Sequence, residues 1–192
     1  MNAPGHASGT ASRARRFLGD SAGAAAVEFV LWLGVLIVPL LSAVDIGAYA
    51  FEKMQVQIAG QGAVQAVWHA CNDNTKWPAT KNCPGLLATI TRAAQGSSLG
   101  ADVTVASADV VEGYYCADAS RALVAVGSTG TIASPLTGPA PTCTTVTAGS
   151  STTAGDYIKV TVSYTYAPVF TGLSVGSLLG TSITHTAWMR LI

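Results

Sequence analysis

Hydrophobic and polar positions divide the chain into three stretches. The first 23 residues are small and polar, with a basic cluster at Arg13, Arg15 and Arg16, and no fold is expected there. Residues 24–44 carry one charge, that of Glu28, and as a helix they measure about 31 Å, enough to cross the hydrocarbon core of a bilayer. The pattern therefore predicts a polar leader (1–23), a membrane helix and an outer domain.

The charges that flank the apolar stretch predict its orientation. Three arginines precede it, whereas Asp45, Glu52 and Lys53 follow it without a basic excess. The positive-inside rule places the N-terminus in the cytoplasm and residues 45–192 outside. A cleaved secretory signal is the alternative, but residues 42–44 are a poor cleavage site and the helical pattern continues beyond them.

A second helical segment follows the apolar stretch and makes residues 24–70 one long helix. Residues 45–70 contain no proline, and four apolar residues recur at every fourth position, as in an amphipathic helix. We expect a bend at Pro39, and Gly60 and Gly62 each disfavour the helix by about 1 kcal/mol relative to alanine. The recurring residues are Ile46, Ala50, Met54 and Ile58.

The pattern of residues 71–192 predicts a head domain that consists mostly of strands and turns. Residues 157–166 alternate strictly between apolar and polar, which is typical of a half-buried antiparallel strand, and the final strand is expected beside it. Residues 86–95 form a short helix that ends at Gly96, and residues 127–155 form a long loop. The predicted strands are Val103–Val105, Val110–Cys116, Ala122–Val126, Tyr157–Tyr166 and Ile183–Ile192.

Composition removes several classes of function. Lys+Arg and Asp+Glu are 10 each, so the net charge is zero and a nucleic-acid binder, which needs a basic face, is disfavoured. An apolar content of 49% argues against disorder of the whole chain. Neither a phosphate-binding loop nor a dinucleotide-binding motif is present, and we predict no cofactor.

Four cysteines indicate two disulfides and an oxidising compartment, which agrees with the predicted orientation. Local pairing, Cys71 with Cys83 and Cys116 with Cys143, is the natural expectation, but three connectivities are possible. A zinc site that uses His69, Cys71 and Cys83 is the weaker alternative because no Cys-x-x-Cys spacing is present.

The sequence gives little support for an enzymatic function. Residues 96–100 match the G-x-S-x-G string of serine hydrolases, with Ser98 as the nucleophile and His185 downstream. That chemistry needs the serine on a turn from a strand into a helix, whereas this string follows a helix and leads into a strand. A glycine-rich turn is the better interpretation, so no catalytic residue is predicted.

Four aromatic residues in the head have two interpretations. They either form an exposed surface for a ligand or pack within a small β domain, and packing is the favoured interpretation. These residues are Trp77, Tyr114, Tyr115 and Trp188.

Glu28 is a lone carboxylate in an apolar helix, which costs roughly 2.5–3.5 kcal/mol at the membrane centre. It either sits at headgroup depth or has a specific role. Its context is a basic cluster, then Gly23, three alanines and a valine, then Glu28 and Phe29, then a long apolar run. This order resembles the type III signal of type IV pilins and pseudopilins. The resemblance implies cleavage by a prepilin peptidase between Gly23 and Ala24, which makes Glu28 the fifth residue of the mature chain.

More narrowly, the chain resembles the TadE-like minor pseudopilins of the tight-adherence (Tad/Flp) pilus system, over residues 13–70 and 156–192. The motifs that carry the resemblance are residues 15–29, 45–47, 157–164, 168–170 and 184–190.

The resemblance implies an α+β, pilin-like fold: a long N-terminal helix followed by a mainly antiparallel β head with disulfides. It also implies a structural role in pilus assembly and surface adherence. The implied partners are the prepilin peptidase, other pilins or pseudopilins, the inner-membrane assembly platform and membrane lipid. Glu28 and Phe29 would serve helix packing, and the protein would lie in the inner membrane or in an extracellular pilus.

Three alternatives stay open at this point. The first is a pilus-tip or membrane-anchored adhesin that binds through residues 71–155. The second is an anchored periplasmic hydrolase that depends on Ser98. The third is a minor pseudopilin of a type II secretion system, although those proteins usually carry phenylalanine after the cut, where Ala24 stands here.

Overall fold

The computed structural model of the chain describes residues 21–192. Arg13, Arg15 and Arg16, which are predicted to set the topology, lie outside the described residues, as does most of the predicted leader.

One continuous helix, α1, spans Ser21–Ala70 and has 50 residues. It passes through Pro39 without interruption. The predicted membrane helix and the predicted amphipathic helix are therefore one element.

The head is built on four strands and two short helices. The strands are β1 (Val110–Ala117), β2 (Leu123–Thr131), β3 (Gly155–Thr165) and β4 (Ser182–Arg190), and the short helices are α2 (Ala79–Asn82) and α3 (Leu86–Ala94). The strands form one sheet in the order β2-β1-β3-β4, with every neighbouring pair antiparallel. This arrangement confirms the predicted α+β fold with a long N-terminal helix and a β head, including the pairing of the last two strands.

Two strand predictions differ from the structure. Residues 103–105 form no strand; only Thr104 makes an isolated bridge, to Ser163, because a 3-10 helix turns the chain immediately before it. Strand β2 continues to Thr131, into the predicted 127–155 loop, because a bulge opposite β1 accommodates Gly127 at φ 80°. A glycine-rich stretch therefore adds to the sheet where a loop is predicted.

The helix packs on the sheet through small residues. Val56, Ala63 and Val67 are fully buried, and they share a core with Ile158, Val160 and other inward residues of the sheet. A Cβ atom on Gly60 would lie 2.9 Å from Cδ2 of His185, so the glycine allows the helix to approach β4 closely. The glycine that disfavours the helix locally therefore serves the packing.

The apolar stripe predicted from the four-residue repeat faces away from the sheet. Ile46, Met54 and Ile58 are each about half exposed. The residues that pack against the sheet lie on the opposite side of the helix, where smaller side chains allow closer contact.

A second, smaller core fills the far end of the same sheet face. Tyr114 and Val126 pack there against Leu136, which belongs to the long loop after β2. The two disulfides are Cys71–Cys83, which joins the end of α1 to the end of α2, and Cys116–Cys143, which joins β1 to the long loop. Of the three connectivities open from the sequence, the structure has the local one.

Candidate assembly surface and membrane-proximal clasp

The N-terminal part of α1 packs against little else within residues 21–192. Its most apolar window is 11% buried, whereas the core helix of a soluble domain would be mostly buried, and the helix is long and apolar enough to cross a membrane. Glu28 is exposed on this surface and lines one helix face with Leu31, Trp32 and Val35. Phe29 is 67% exposed. Both residues predicted to serve packing are therefore available to a neighbour.

The apolar surface continues along α1 beside the head. Ile46, Phe51, Met54 and Ile58 remain exposed although the opposite side of the same helix is buried against the sheet. We call these four residues the stem face. An exposed apolar face of this kind marks an interaction surface in proteins.

Asp45 is the first charged residue after the apolar stretch, and it is fully buried. Its Oδ1 accepts hydrogen bonds from the backbone N–H groups of Val169, at 2.9 Å, and Phe170, at 3.3 Å. The Ser174 hydroxyl donates to its Oδ2. The charge at this point of the helix is therefore covered by donors from the loop that joins β3 to β4.

Further contacts fix the same loop to the helix. The Tyr166 hydroxyl donates to the Asp45 carbonyl over 3.1 Å, and the Val175 N–H donates to Oγ of Ser42 over 3.3 Å. Tyr166 also packs edge-on against Tyr49, with ring centroids 5.1 Å apart. We call this set of contacts between the helix and residues 166–181 the clasp.

A second buried polar cluster lies between the two cores of the head. Glu112 on β1 is fully buried, and its carboxylate accepts hydrogen bonds from the Ala79 and Thr80 N–H groups and the Thr80 hydroxyl. The Thr80 hydroxyl oxygen in turn accepts from the Leu136 N–H over 3.1 Å. These hydrogen bonds tie α2 and the long loop to the sheet.

Asp156 is the neighbouring carboxyl group, opposite Tyr114 in the antiparallel pairing of β1 and β3. Burial, and then the nearby charge of Glu112, raise the pKa of Asp156 to about 8. Its Oδ1 is buried with no hydrogen-bond partner in the described part of the chain. With its pKa near 8, Asp156 therefore keeps its proton at neutral pH.

The remaining candidates from the sequence have structural roles. Cys71 and Cys83 are joined in a disulfide, which leaves no thiolate for the zinc alternative, and no cluster of metal-ligating side chains occurs within residues 21–192. Ser98 is exposed, and its string runs from the end of α3 into a 3-10 helix rather than from a strand into a helix. The geometry of a hydrolase nucleophile is therefore not formed.

The aromatic residues divide between packing and exposure. Tyr114 is buried in the smaller core, and the Trp77 Nε1–H donates to the Cys71 carbonyl over 2.7 Å. On the outer sheet face, Tyr115 stacks edge-on with Trp188 and with Tyr157, and Trp188 is 46% exposed. Tyr114 and Trp77 therefore make contacts within the head, whereas Tyr115 and Trp188 contribute to an open aromatic surface.

Sequence reasoning missed the roles of Asp45, Glu112 and Asp156. A signal was present for the last two: both occupy inward positions of alternating strands, as Val110 and Tyr114 do on either side of Glu112. For Asp45 the sequence shows only a charge at the end of an apolar run.

The comparison with known protein families bears on the helix. Residues 23–65 match the family of TadE-like proteins. This segment is TadE-like. It covers the apolar surface, the stem face and Asp45, and it is the feature that links the chain to Tad pili. No curated protein and no solved structure matches the chain.

Proposed function

We propose that the protein is a minor pseudopilin that contributes to assembly of a Tad/Flp-type pilus and hence to surface adherence. In this proposal a prepilin peptidase removes residues 1–23, residues 24–70 form the membrane and stem helix, and residues 71–192 form a periplasmic or extracellular head. The arginine cluster before the helix keeps the N-terminus in the cytoplasm, and the inner-membrane platform recruits the helix.

The observation that carries the proposal is the continuous apolar surface of α1. A plain membrane anchor needs exposed apolar side chains only inside the bilayer. Here the exposed apolar side continues through the stem face, from Ile46 to Ile58, outside the proposed span and beside a folded head. Such a surface suits packing against other helices both inside the membrane and in a fibre.

The proposed processing gives Glu28 a role. Cleavage after Gly23 creates an α-amino group at Ala24 with an ordinary pKa of about 7.7–8.0, which is a cation in apolar surroundings. Glu28 of one subunit would pair with Ala24 of its neighbour, because each charge is costly alone and tolerable in a pair. The pairing would set a stagger between adjacent helices.

The stem face is tested by placing a charge on it. Ile58→Asp replaces a side chain that is 53% exposed, so we expect the head to fold normally while pilus number falls severalfold or more. Leu123→Asp is the matched control, because Leu123 is 44% exposed on the edge strand β2, away from the helix. Pili are counted by electron microscopy in a strain whose own copy is deleted, and protein level is checked by immunoblot.

Normal piliation with Ile58→Asp would contradict a packing role for the stem face. Loss of piliation with both variants would show that an added surface charge is harmful at either position. The stem face would then no longer support the proposed function.

The alternative of a pilus-tip adhesin is favoured by one feature, the open aromatic surface on the outer sheet face. Lys159 lies 5.6 Å above the ring of Trp188, and Tyr115 flanks the same ring. Aromatic faces beside polar groups suit ligand recognition. Of these residues only Tyr115 falls within the 71–155 region. An adhesin with a changed Trp188 would still form normal pili but would lose adherence, which distinguishes it from an assembly component.

A further inference from the structure

We infer that the β3–β4 loop, residues 166–181, is a second membrane contact, which lies in the lipid interface beside the point where α1 leaves the bilayer. The inference rests on the proposed function in one respect, namely that α1 spans the membrane. The partner of this surface is the lipid of that same bilayer.

The clasp sets the depth of the loop. A helix that enters the hydrocarbon core at Ala24 leaves it after about 20 residues, near Val44. The loop is bonded to Ser42 and Asp45, which flank that point. Gly176 lies directly against the Asp45 carboxylate, where a Cβ atom would approach Oδ2 to 2.6 Å. The loop is therefore held at the level of the membrane boundary.

The composition of the loop suits that level. Residues 167–181 contain no charged side chain and no histidine. Four aliphatic residues in this stretch point outward, and Leu178 is 83% exposed, the highest value among the exposed large apolar residues of the described chain. An exposed apolar loop in water is unfavourable, whereas the same surface in the interface removes the exposure. These four residues are Val169, Leu173, Val175 and Leu178.

The burial of Asp45 supports the same placement. Between Phe29 and Phe51 the helix carries one charged residue, Asp45, and the loop covers it with two backbone N–H groups and a hydroxyl. A carboxylate at the membrane boundary is costly when bare and tolerable when fully hydrogen-bonded. The loop thus hides the charge and presents aliphatic side chains in its place.

The test uses the full-length protein in phosphatidylcholine vesicles with one added cysteine. All four native cysteines are in disulfides, so a thiol-reactive NBD fluorophore labels only the added position. Leu178→Cys reports on the loop. Leu123→Cys is the matched control, because Leu123 lies at the end of the sheet that is far from the loop. Strand β3 runs between the two ends: its last residue, Thr165, adjoins the loop, whereas its first residue, Gly155, pairs with Tyr115 near Leu123.

We expect the fluorophore at 178 to show blue-shifted emission and severalfold stronger quenching by nitroxide-labelled lipid than the fluorophore at 123. Aqueous iodide should quench in the opposite order. Equal iodide quenching at 178 and 123 would overturn the inference. Protection of 178 from both quenchers would also overturn it, because a second copy of the chain, rather than lipid, would then cover the loop.

A third label separates this inference from the proposal beneath it. Leu36→Cys lies in the middle of the proposed span and is exposed on the helix. Lipid quenching at 36 without quenching at 178 would leave the membrane helix intact and refute the loop contact. Absence of lipid quenching at 36 would refute the membrane helix itself.

Discussion

Glu112 and Asp156 are two carboxyl groups on the buried face of adjacent strands, and they differ in their hydrogen bonds. Glu112 accepts three hydrogen bonds, whereas Oδ1 of Asp156 has no partner within residues 21–192. Burial, and then the neighbouring Glu112, raise the pKa of Asp156. The stability of the head is therefore expected to depend on pH.

The pH dependence of stability follows from Asp156. Its folded pKa is raised to about 8 by burial and by Glu112, whereas an unfolded aspartate titrates near pKa 3.9. Between these two values the folded state keeps a proton that the unfolded state has lost, so stability falls as the pH rises from about 4 to about 8. Asp156→Asn, which is neutral at every pH, should flatten this fall.

The measurement is the unfolding temperature of the full-length protein in detergent across that pH range. Asp118→Asn is the control, because Asp118 is only partly buried and hydrogen bonds, first from Ser120, lower its pKa, so its effect lies on the acidic side. Equal slopes for the wild type and Asp156→Asn above about pH 5 would contradict the assignment.

At the scale of elements, the contact between α1 and the sheet depends on the absence of a side chain at Gly60. A methyl group there would lie 2.9 Å from His185 and 3.5 Å from Val162. The gain in helix propensity on Gly60→Ala is about 1 kcal/mol, and overpacking typically costs about 1–3 kcal/mol. We expect a net loss of stability of up to about 2 kcal/mol.

Gly47→Ala is the matched control in the same helix. Beyond the local helix itself, no atom of the described residues lies within 4 Å of a Cβ at Gly47, so this substitution should be neutral or should stabilise by up to about 1 kcal/mol. Thermal unfolding of both variants gives the comparison. If Gly60→Ala proves as stable as Gly47→Ala, the close approach described above is not a real constraint on the fold.

The sequence predicted the elements better than their orientation. The alternation of residues 157–166 and the long apolar run lead directly to β3 and α1, because period and length are local properties. The four-residue repeat that includes Ile58 predicted an amphipathic helix, but it did not show which side of α1 packs on the head. Close packing favours the small residues, and the large ones remain outside for a partner.

The polar clusters depended on register, which no local pattern specifies. Asp156 approaches Glu112 because Tyr114 and Asp156 are opposed across β1 and β3. Asp45 meets its donors in residues 169–174, which are more than 120 positions away in the chain. The connectivity of the disulfides, by contrast, followed the short separations of 12 and 27 residues.

At the scale of the whole molecule, apolar surface is concentrated along α1 and at the adjoining end of the head. The exposed side of the helix carries few charged residues, among them Glu28 and Lys53, and the 166–181 loop carries none. Asp45, where the helix meets the loop, is covered. The opposite end of the sheet carries exposed polar groups such as Ser120 and Arg121. This polarity suits a protein whose helix and adjoining loop meet lipid and other helices while its head projects outward.

The central claim is that the TadE-like helix belongs to a pseudopilin that a prepilin peptidase processes. The most direct test is the intact mass and N-terminal sequence of the protein from membranes of cells with and without that peptidase. The account predicts a mature chain that begins at Ala24 when the peptidase is present and a chain that retains residues 1–23 when it is absent. A chain that begins at Met1 in both preparations would contradict it and would leave an ordinary anchored β domain.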